Sequence, residues 1–459
     1  MKRNALILLC LVSCNIVAAQ SPYTLQQLKD SALRNNIAMR QARIDIDAAR
    51  EQRREAFTKY FPTVSATGAW FNANRPMAKM DVDPQEFITP ETGMMLSQML
   101  PPEMLATLGT PMSMTMMKNG TIASLTAMQP VFAGGQIVNG NRLARVGEEA
   151  SQLQMQLRRN EVERQVEQYY WQLVSLQEKV KTIDAVDSLL ARIYKDVEVA
   201  VRAGVAMRND LLQVQLRQND IASERLKLQN GISIVKMLLS QYCGIEPNPT
   251  PSPRERSYNS LEVIMPDIDQ QSSKLPSLGE GLGVGLLPEY QLLEKQVEAT
   301  ALQKKMAIGQ QMPTVAVGAG YNYHNLLEND RTFGMLFATV SIPISDWWGG
   351  SHAIKRKKLE HQKALDQLAD NAQLLEIRAQ KAANDVAEAR QQLDLASRAI
   401  EQADENLRIL RNQYKAGVSN MSDLLEAQLL YQQTLDKRVD AWANLQNRLL
   451  DLRQATGQE

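Results

Sequence analysis

Apolar and polar residues follow two rhythms along this chain. From Leu25 to about Lys59, Leu28, Ala32, Ala38, Ala42, Ile46 and Ala49 recur near helical spacing, and Pro62 ends the stretch. Pro288 to about Gln310 reads the same way and stops at Pro313. The period then drops to two. Val315, Val317, Ala319, Tyr321 and Tyr323 alternate with Thr314, Ala316, Gly318, Gly320 and Asn322, which predicts a strand over about 314–323. A return strand over about 332–345 places Leu336, Ala338, Val340, Ile342 and Ile344 on one side. Two further strands are expected at about 62–72 and 121–132. A Gly pair follows each set, Gly134-Gly135 and Gly349-Gly350, and then a Pro-free helical run, over about 136–202 and 351–415. Each run would span roughly 100 Å. Gly204 and Gly417 break the runs, and a further helix returns to Gly244 or Gly457.

The order of elements occurs twice because the chain is internally duplicated. Ala203-Gly204-Val205 with Asp210-Leu211-Leu212 matches Ala416-Gly417-Val418 with Asp423-Leu424-Leu425. Pro130-Val131 matches Pro343-Ile344 at the same offset, and Pro62-Thr63-Val64 matches Pro313-Thr314-Val315. Two structural repeats follow, at 20–244 and 288–459. Residues 245–287 form a Pro-, Ser- and Gly-rich connection with little regular structure expected.

Composition narrows the class. Lys plus Arg and Asp plus Glu are 51 each in 459 residues, a balance that argues against a nucleic-acid partner. Apolar residues at 44% exclude a disordered chain, and no 18-residue apolar run offers a membrane helix. The start reads as an export signal over 1–19: basic Lys2 and Arg3, an apolar Ala5 to Val12, and Val17-Ala18-Ala19 before cleavage at Gln20. Leu11-Val12-Ser13-Cys14 offers an alternative, lipidation of Cys14. Simple cleavage leaves Cys243 alone, so no internal disulfide is available.

The long helices must pack along their length against other helices. Ala389, Leu393, Ala396, Ile400, Ala403, Leu407, Leu410 and Tyr414 supply a three-four apolar stripe for close, coiled-coil-like contact. Four strands are too few to close a membrane barrel by themselves. Their aromatics nevertheless fall at two levels, Trp70, Phe71, Tyr321, Tyr323 and Phe333 at one and Phe132, Trp347 and Trp348 at the other, as interfacial girdles do. A soluble sheet edge is the competing reading. Lipid tolerates no open edge, so a membrane sheet must be shared among several chains.

This duplicated order, the exported start, Pro130-Val131-Phe132-x-Gly134-Gly135 and the two Gly-Val-x4-Asp-Leu-Leu turns resemble the TolC family of outer-membrane efflux and secretion channels. The resemblance implies a mainly α fold with a small membrane β-barrel portion, built as a homotrimer: a trimeric α-helical barrel in the periplasm, continuous with a 12-stranded β-barrel to which each chain gives four strands. It implies the outer membrane of a Gram-negative bacterium and surrounding lipid. It also implies a periplasmic adaptor protein and an inner-membrane transporter of the RND, ABC or MFS type.

The same resemblance assigns roles to residues. Asp423 and Glu426 take the places of the acidic ring that narrows the family's periplasmic entrance; their spacing puts them on one helix face. Gln213 stands at the first-repeat counterpart of Glu426. Tyr414 and Asp210 take the places of a latch. The Arg that completes it elsewhere is Ser419 here, with Arg202, Arg208 and Lys415 as substitutes. Ala203, Gly204, Val205, Ala416, Gly417 and Val418 form the tips at which the family meets its adaptor. The residues also permit plainer readings: Asp210 and Asp423 as helix-cap or first-turn groups, and Gly204 and Gly417 as helix C-caps.

The first hairpin loop, about Asn74 to Gly120, holds ten of the 21 Met. Flexible packing by Met is the reading preferred over soft-metal contact, and no cofactor or metal is expected. Ser233-Ile234-Val235-Lys236 matches S-x-x-K but falls mid-helix without partner motifs, and the Gly run at 279–285 lacks dinucleotide spacing. An enzyme is not expected. A passive efflux or type I secretion conduit is the leading reading, and a non-transporting coiled-coil envelope scaffold the alternative.

Overall fold

The computed structural model describes residues 22–75, 78–82, 88–104, 112–116, 119–245, 261–264, 266, 287–325, 330–344 and 346–457. The expected leader at 1–19, Cys14 and most of the connection at 245–287 lie outside the described residues.

Helices dominate. α1 (Leu25–Asn35) begins at a capping box: Gln27 N–H donates to Thr24 Oγ1 at 3.2 Å, and Thr24 N–H donates to Gln27 Oε1 at 2.9 Å. The helical stretch expected to continue to Lys59 breaks instead at Asn36, whose backbone is extended. Its Oδ1 accepts the Ala38 N–H at 2.8 Å and so starts α2 (Ile37–Thr58) afresh. The chain then runs through β1 (Thr63–Asn72), β2 (Ala78–Val82), α3 (Pro90–Met99), β3 (Met112–Met116) and β4 (Asn119–Ala133). A 67-residue helix α4 (Gln136–Arg202) turns into α5 (Arg208–Cys243). The second half repeats the order with α6 (Pro288–Gly309), β5 (Thr314–Asn325), β6 (Asp330–Ser341), the 70-residue α7 (Asp346–Lys415) and α8 (Met421–Thr456). The stretch around 74–120, read from sequence as a loop, thus holds a hairpin and a short helix.

Two compact units cut across the repeats, and each takes segments from both. The first comprises the described residues up to Ala49, Gly147–Val297 and Ala364 onward. Its packing follows coiled-coil spacing. Ile183, Val186, Leu190, Ile193 and Val197 of α4 are buried with Val214 and Ile221 of α5, Leu407 of α7, and Met421, Leu424 and Ala427 of α8. A second cluster uses small residues: Ala379, Ala382, Val386 and Ala389 of α7 against Leu445, Leu449, Leu452 and Ala455 of α8. A third surrounds Trp171 of α4 and Trp442 of α8, whose rings meet edge-on at 5.4 Å. There the fully buried Glu167 is held between Lys29 of α1 and Arg453 of α8, a paired charge of the kind burial demands.

The second unit, Arg50–Val146 with Glu298–Lys363, carries a four-stranded antiparallel sheet in the order β1-β4-β5-β6. Register sorts its two faces. Val64, Ala66 and Trp70 align with Leu125 and Ala127, then Val315, Val317, Ala319, Tyr321 and Tyr323, then Leu336, Ala338 and Val340. The opposite face carries Ser65, Thr67, Ser124, Thr126, Asn322 and Thr339, with Phe71 and Phe333 among them. The apolar face is uncovered: Trp70 is 72% exposed and Leu336 87%. Pro130 has no N–H for a ladder, and the β4–β5 register shifts beside it, between Pro130 and Phe132.

The Gly pairs are not equivalent. Gly134 and Gly135 both have positive φ, and a Cβ on Gly134 would meet the Gly309 carbonyl oxygen at 2.2 Å, so the turn requires glycine. Gly349 and Gly350 lie inside the first turns of α7, which starts five residues before the expected Ser351. Pro343 permits this early start because it stops β6 pairing beyond Ser341.

Among the described residues no helix is long and apolar enough to cross a membrane.

Candidate functional site at the helical tips

Each long helix ends in the same backbone device. Gly204 has φ 75° and Gly417 φ 71°. Val205 N–H donates to the Ala200 carbonyl and Val418 N–H to the Gln413 carbonyl, both at 2.9 Å, while each Gly N–H donates three residues back. These are Schellman C-caps, which satisfy carbonyls that a helix end leaves open. The next residues then stand out in solvent: Val205 is 80% exposed and Val418 78%. Ala203, Gly204, Ala416 and Gly417 are exposed as well.

The return helices begin differently. Ahead of α8, Asn420 Oδ1 accepts the Asp423 N–H at 2.9 Å, a side-chain N-cap that sequence reading missed. The signal was present, since Asn three residues before Asp at a helix start is a preferred cap. The Asp423 carboxylate is therefore not the cap; its Oδ2 accepts Ser419 Oγ at 3.2 Å. Ahead of α5 the corresponding residue is Met207, which has no side-chain oxygen. Asp210 reaches back, and its Oδ2 accepts the Met207 N–H at 3.2 Å. Asp210 thus serves a capping function at its helix, and both Asp residues lie in a first turn, where the dipole favours them.

Glu426 is exposed one turn beyond the half-buried Asp423 and on the same face of α8. Gln213, the first-repeat counterpart of Glu426, accepts Ser422 Oγ at 3.4 Å and links α5 to α8 at this level.

A cleft of about 880 Å³ lies between the tips. Asp196, Asp210, Arg411, Tyr414, Lys415 and Ser419 supply its polar lining. Tyr414 and Asp210 are therefore brought together, but not as a hydrogen-bonded pair. The Tyr414 hydroxyl and Arg411 Nε are buried without a hydrogen-bond partner among the described residues. Burial, and after it the Asp210 charge, raises the pKa of the Tyr414 hydroxyl. Of the three cations named as substitutes, Arg202 pairs with Glu198 at 2.7 Å and Lys415 with Asp196 at 3.6 Å, so neither is directed at Asp210.

Further along the same helices is a polar network that the apolar-stripe analysis passed over. Arg217 of α5 donates to Gln428 Oε1 at 3.0 Å and Gln432 Oε1 at 2.7 Å on α8. Gln432 returns a bond to Glu224 Oε2 at 2.6 Å. Both Gln residues are buried. Two Gln four apart on the packed face of α8 were the available sign.

Among the described residues no group of His, Cys, Asp or Glu is arranged to hold a metal ion. Cys243 is buried, which raises its thiol pKa to about 12.

The whole fold has counterparts among solved structures. The outer membrane protein VceC from Vibrio cholerae superposes with a TM-score of 0.71 at 15% identity, over 94% of this chain and 96% of that one. The outer membrane channel CmeC of Campylobacter jejuni gives 0.71 at 14% identity, over 94% and 85%. The open state of the Neisseria gonorrhoeae outer membrane channel MtrE gives 0.69 at 17% identity, over 94% and 88%. No curated protein sequence matches the chain. The family profile described as outer membrane efflux protein matches residues 28–242 and 288–458, one segment in each half. With both halves matched, this chain belongs to the outer membrane efflux protein family.

Proposed function

We propose that three copies of this chain form a passive conduit of an efflux or type I secretion system in the Gram-negative outer membrane. The observation that carries this reading is the sheet. Among the described residues its outer strands, β1 and β6, each pair on one side only, and one face is apolar, exposed and edged with Trp70, Tyr321 and Tyr323. A face of that kind suits lipid, and lipid forbids its open edges. Closure by three copies yields 12 strands, and the long helices of the three copies form a tunnel through the periplasm. Mass measurement in detergent is expected to return three chains. A folded monomer with full strand content would refute the reading.

In this conduit the exposed tips, Ala203-Gly204-Val205 and Ala416-Gly417-Val418, receive a periplasmic adaptor, and an inner-membrane transporter supplies the energy. Asp423 and Glu426 form the acidic ring at the entrance. The exposure of Glu426, together with the Asn420 cap that relieves Asp423 of capping, supports that role. Tyr414 and Asp210 act as a latch through the cleft they share, closing a hydrogen bond in the shut state. In planar bilayers, Ala at both 423 and 426 is expected to weaken block by multivalent cations and lower cation selectivity. Unchanged block and selectivity would remove both residues from the pore. Tyr414→Phe with Asp210→Ala is expected to raise conductance with the block retained; unchanged conductance would refute the latch.

A further inference from the structure

The four helices that join the sheet repeat one surface pattern. Their junctions with β1, β4, β5 and β6 all fall at the same end of the sheet. On each helix an exposed apolar residue stands beside the sheet, and basic residues follow on the same helix face, farther from the strands. On α2, Phe57 and Phe61 are 55% and 54% exposed and meet edge-on at 5.6 Å. Arg54 and Arg53 precede Phe57 by three and four residues. On α4 the exposed Val138 is followed by Arg142 and Arg145, four and seven residues on. On α6 the exposed Ile308 comes three and four residues after Lys305 and Lys304. On α7, Trp348 is 84% exposed, and Lys355 follows seven residues later. Residues so spaced share a helix face, about 5–10 Å apart along the axis.

The pattern is written into both repeats. Arg142 and Arg145 lie twelve and fifteen residues after Pro130, as Lys355 and Lys358 do after Pro343. Arg54 and Arg53 lie eight and nine residues before Pro62, as Lys305 and Lys304 do before Pro313. A chain balanced overall therefore concentrates positive charge here. Residues 50–62, 134–146, 298–312 and 346–363 hold thirteen Lys and Arg against five Asp and Glu. Arg54 pairs with Glu51 and Lys357 with Glu360, both at 2.6 Å. Arg142, Lys304, Lys305, Lys355 and Lys358 make no ion pair among the described residues.

We propose that this basic collar binds anionic phospholipid head groups at the surface of the leaflet next to the helices. The inference rests on the reading that the sheet is immersed in lipid. Exposed Val131, Ile342 and Ile344 carry apolar surface from the strands to the helix starts. Rings beyond them suit head-group depth, and long basic side chains one or two turns farther reach the phosphates. The cations are spread over four helices rather than gathered in a pocket, which fits a charged surface better than a single dissolved anion.

The test reconstitutes the full chain into mixed phosphatidylcholine and phosphatidylglycerol vesicles. Electron spin resonance then compares how spin-labelled forms of the two lipids associate with the protein. Phosphatidylglycerol is expected to be preferred about threefold or more, falling toward parity in roughly 1 M salt. Lys304→Gln, Lys305→Gln, Lys355→Gln and Lys358→Gln together should remove most of the preference, with helical circular dichroism unchanged. Arg192→Gln, Lys195→Gln, Lys227→Gln and Lys236→Gln together, in the other unit, should leave it intact. Equal association of both lipids with the unaltered chain would overturn the collar. So would a preference that survives the first variant, is lost equally in the second, or is displaced by inorganic phosphate more than by chloride of equal ionic strength. A chain that enters no vesicle of either lipid would overturn the membrane reading and the collar with it.

Discussion

The two helical tips share a backbone and differ in how their return helices begin. At both, a glycine of positive φ closes a Schellman turn, and a valine follows at about four-fifths exposure. Beyond that point α8 starts on Asn420 and buries Met421 and Leu424 completely, whereas α5 starts on Met207 and leaves its matching Leu211 half-buried. The Asp residues diverge accordingly. Asp210 is committed to its own helix start, and the Asp423 carboxylate accepts a serine hydroxyl at the turn. Duplication preserved what the turn itself requires. Side chains were left to specialise, and the second tip became the better packed and better capped.

The largest test of this asymmetry is in packing. Leu424→Ala should cost about 2–5 kcal/mol, the range for a buried leucine, and Leu211→Ala about half as much. Urea unfolding followed by helical circular dichroism reads both. Equal costs would mean that the tips pack alike.

The glycines should instead behave as a pair. A Cβ at Gly204 or Gly417 meets nothing within 4 Å, so the cost of Ala is the left-handed backbone alone. That is about 1–2 kcal/mol, the same at both tips. A clear difference in unfolding midpoint between the two variants would show that one turn relaxes.

Caps come next. Asn420→Ala should destabilise by about 1 kcal/mol, and Met207→Asn should stabilise by up to a similar amount by supplying the missing acceptor. If Met207→Asn gains nothing, Asp210 already satisfies that helix start.

A further test separates α8 from α5 through pH. Burial raises the Asp436 carboxyl from 3.8 to about 6; Lys179 opposes the shift, and Asp440 and Glu224 add to it. The folded state then holds this proton more tightly than the unfolded state does, so stability falls as pH rises from 3.8 to about 6. Asp436→Asn should therefore stabilise at pH 7.5 and become neutral below pH 3.8, where both side chains are uncharged. The corresponding first-repeat residue, Ser223, has no charge to bury, and Ser223→Ala should show no such pH dependence. A gain from Asp436→Asn that is independent of pH would assign the effect to packing.

The duplicated order of the main elements, the two long Pro-free helices, the glycine-closed tips and the alternation of the main strands were legible along the chain. All are local: they depend on periodicity, on proline's missing N–H and on glycine's tolerance of positive φ. What depends on neighbours distant in sequence emerged with the folded chain. Register aligned Val64, Leu125, Val315 and Leu336 into one apolar face. Helix packing buried Gln428 and Gln432 against Arg217, though both would read as surface residues from composition. At Asn36, Tyr242 of α5 supplies a carbonyl to the side-chain amide at 2.9 Å, support for the helix break that nothing local in sequence shows. At Tyr414 the tips bring the ring beside Asp210 without a hydrogen bond, because a buried position depends on where four helices converge rather than on spacing along any one of them.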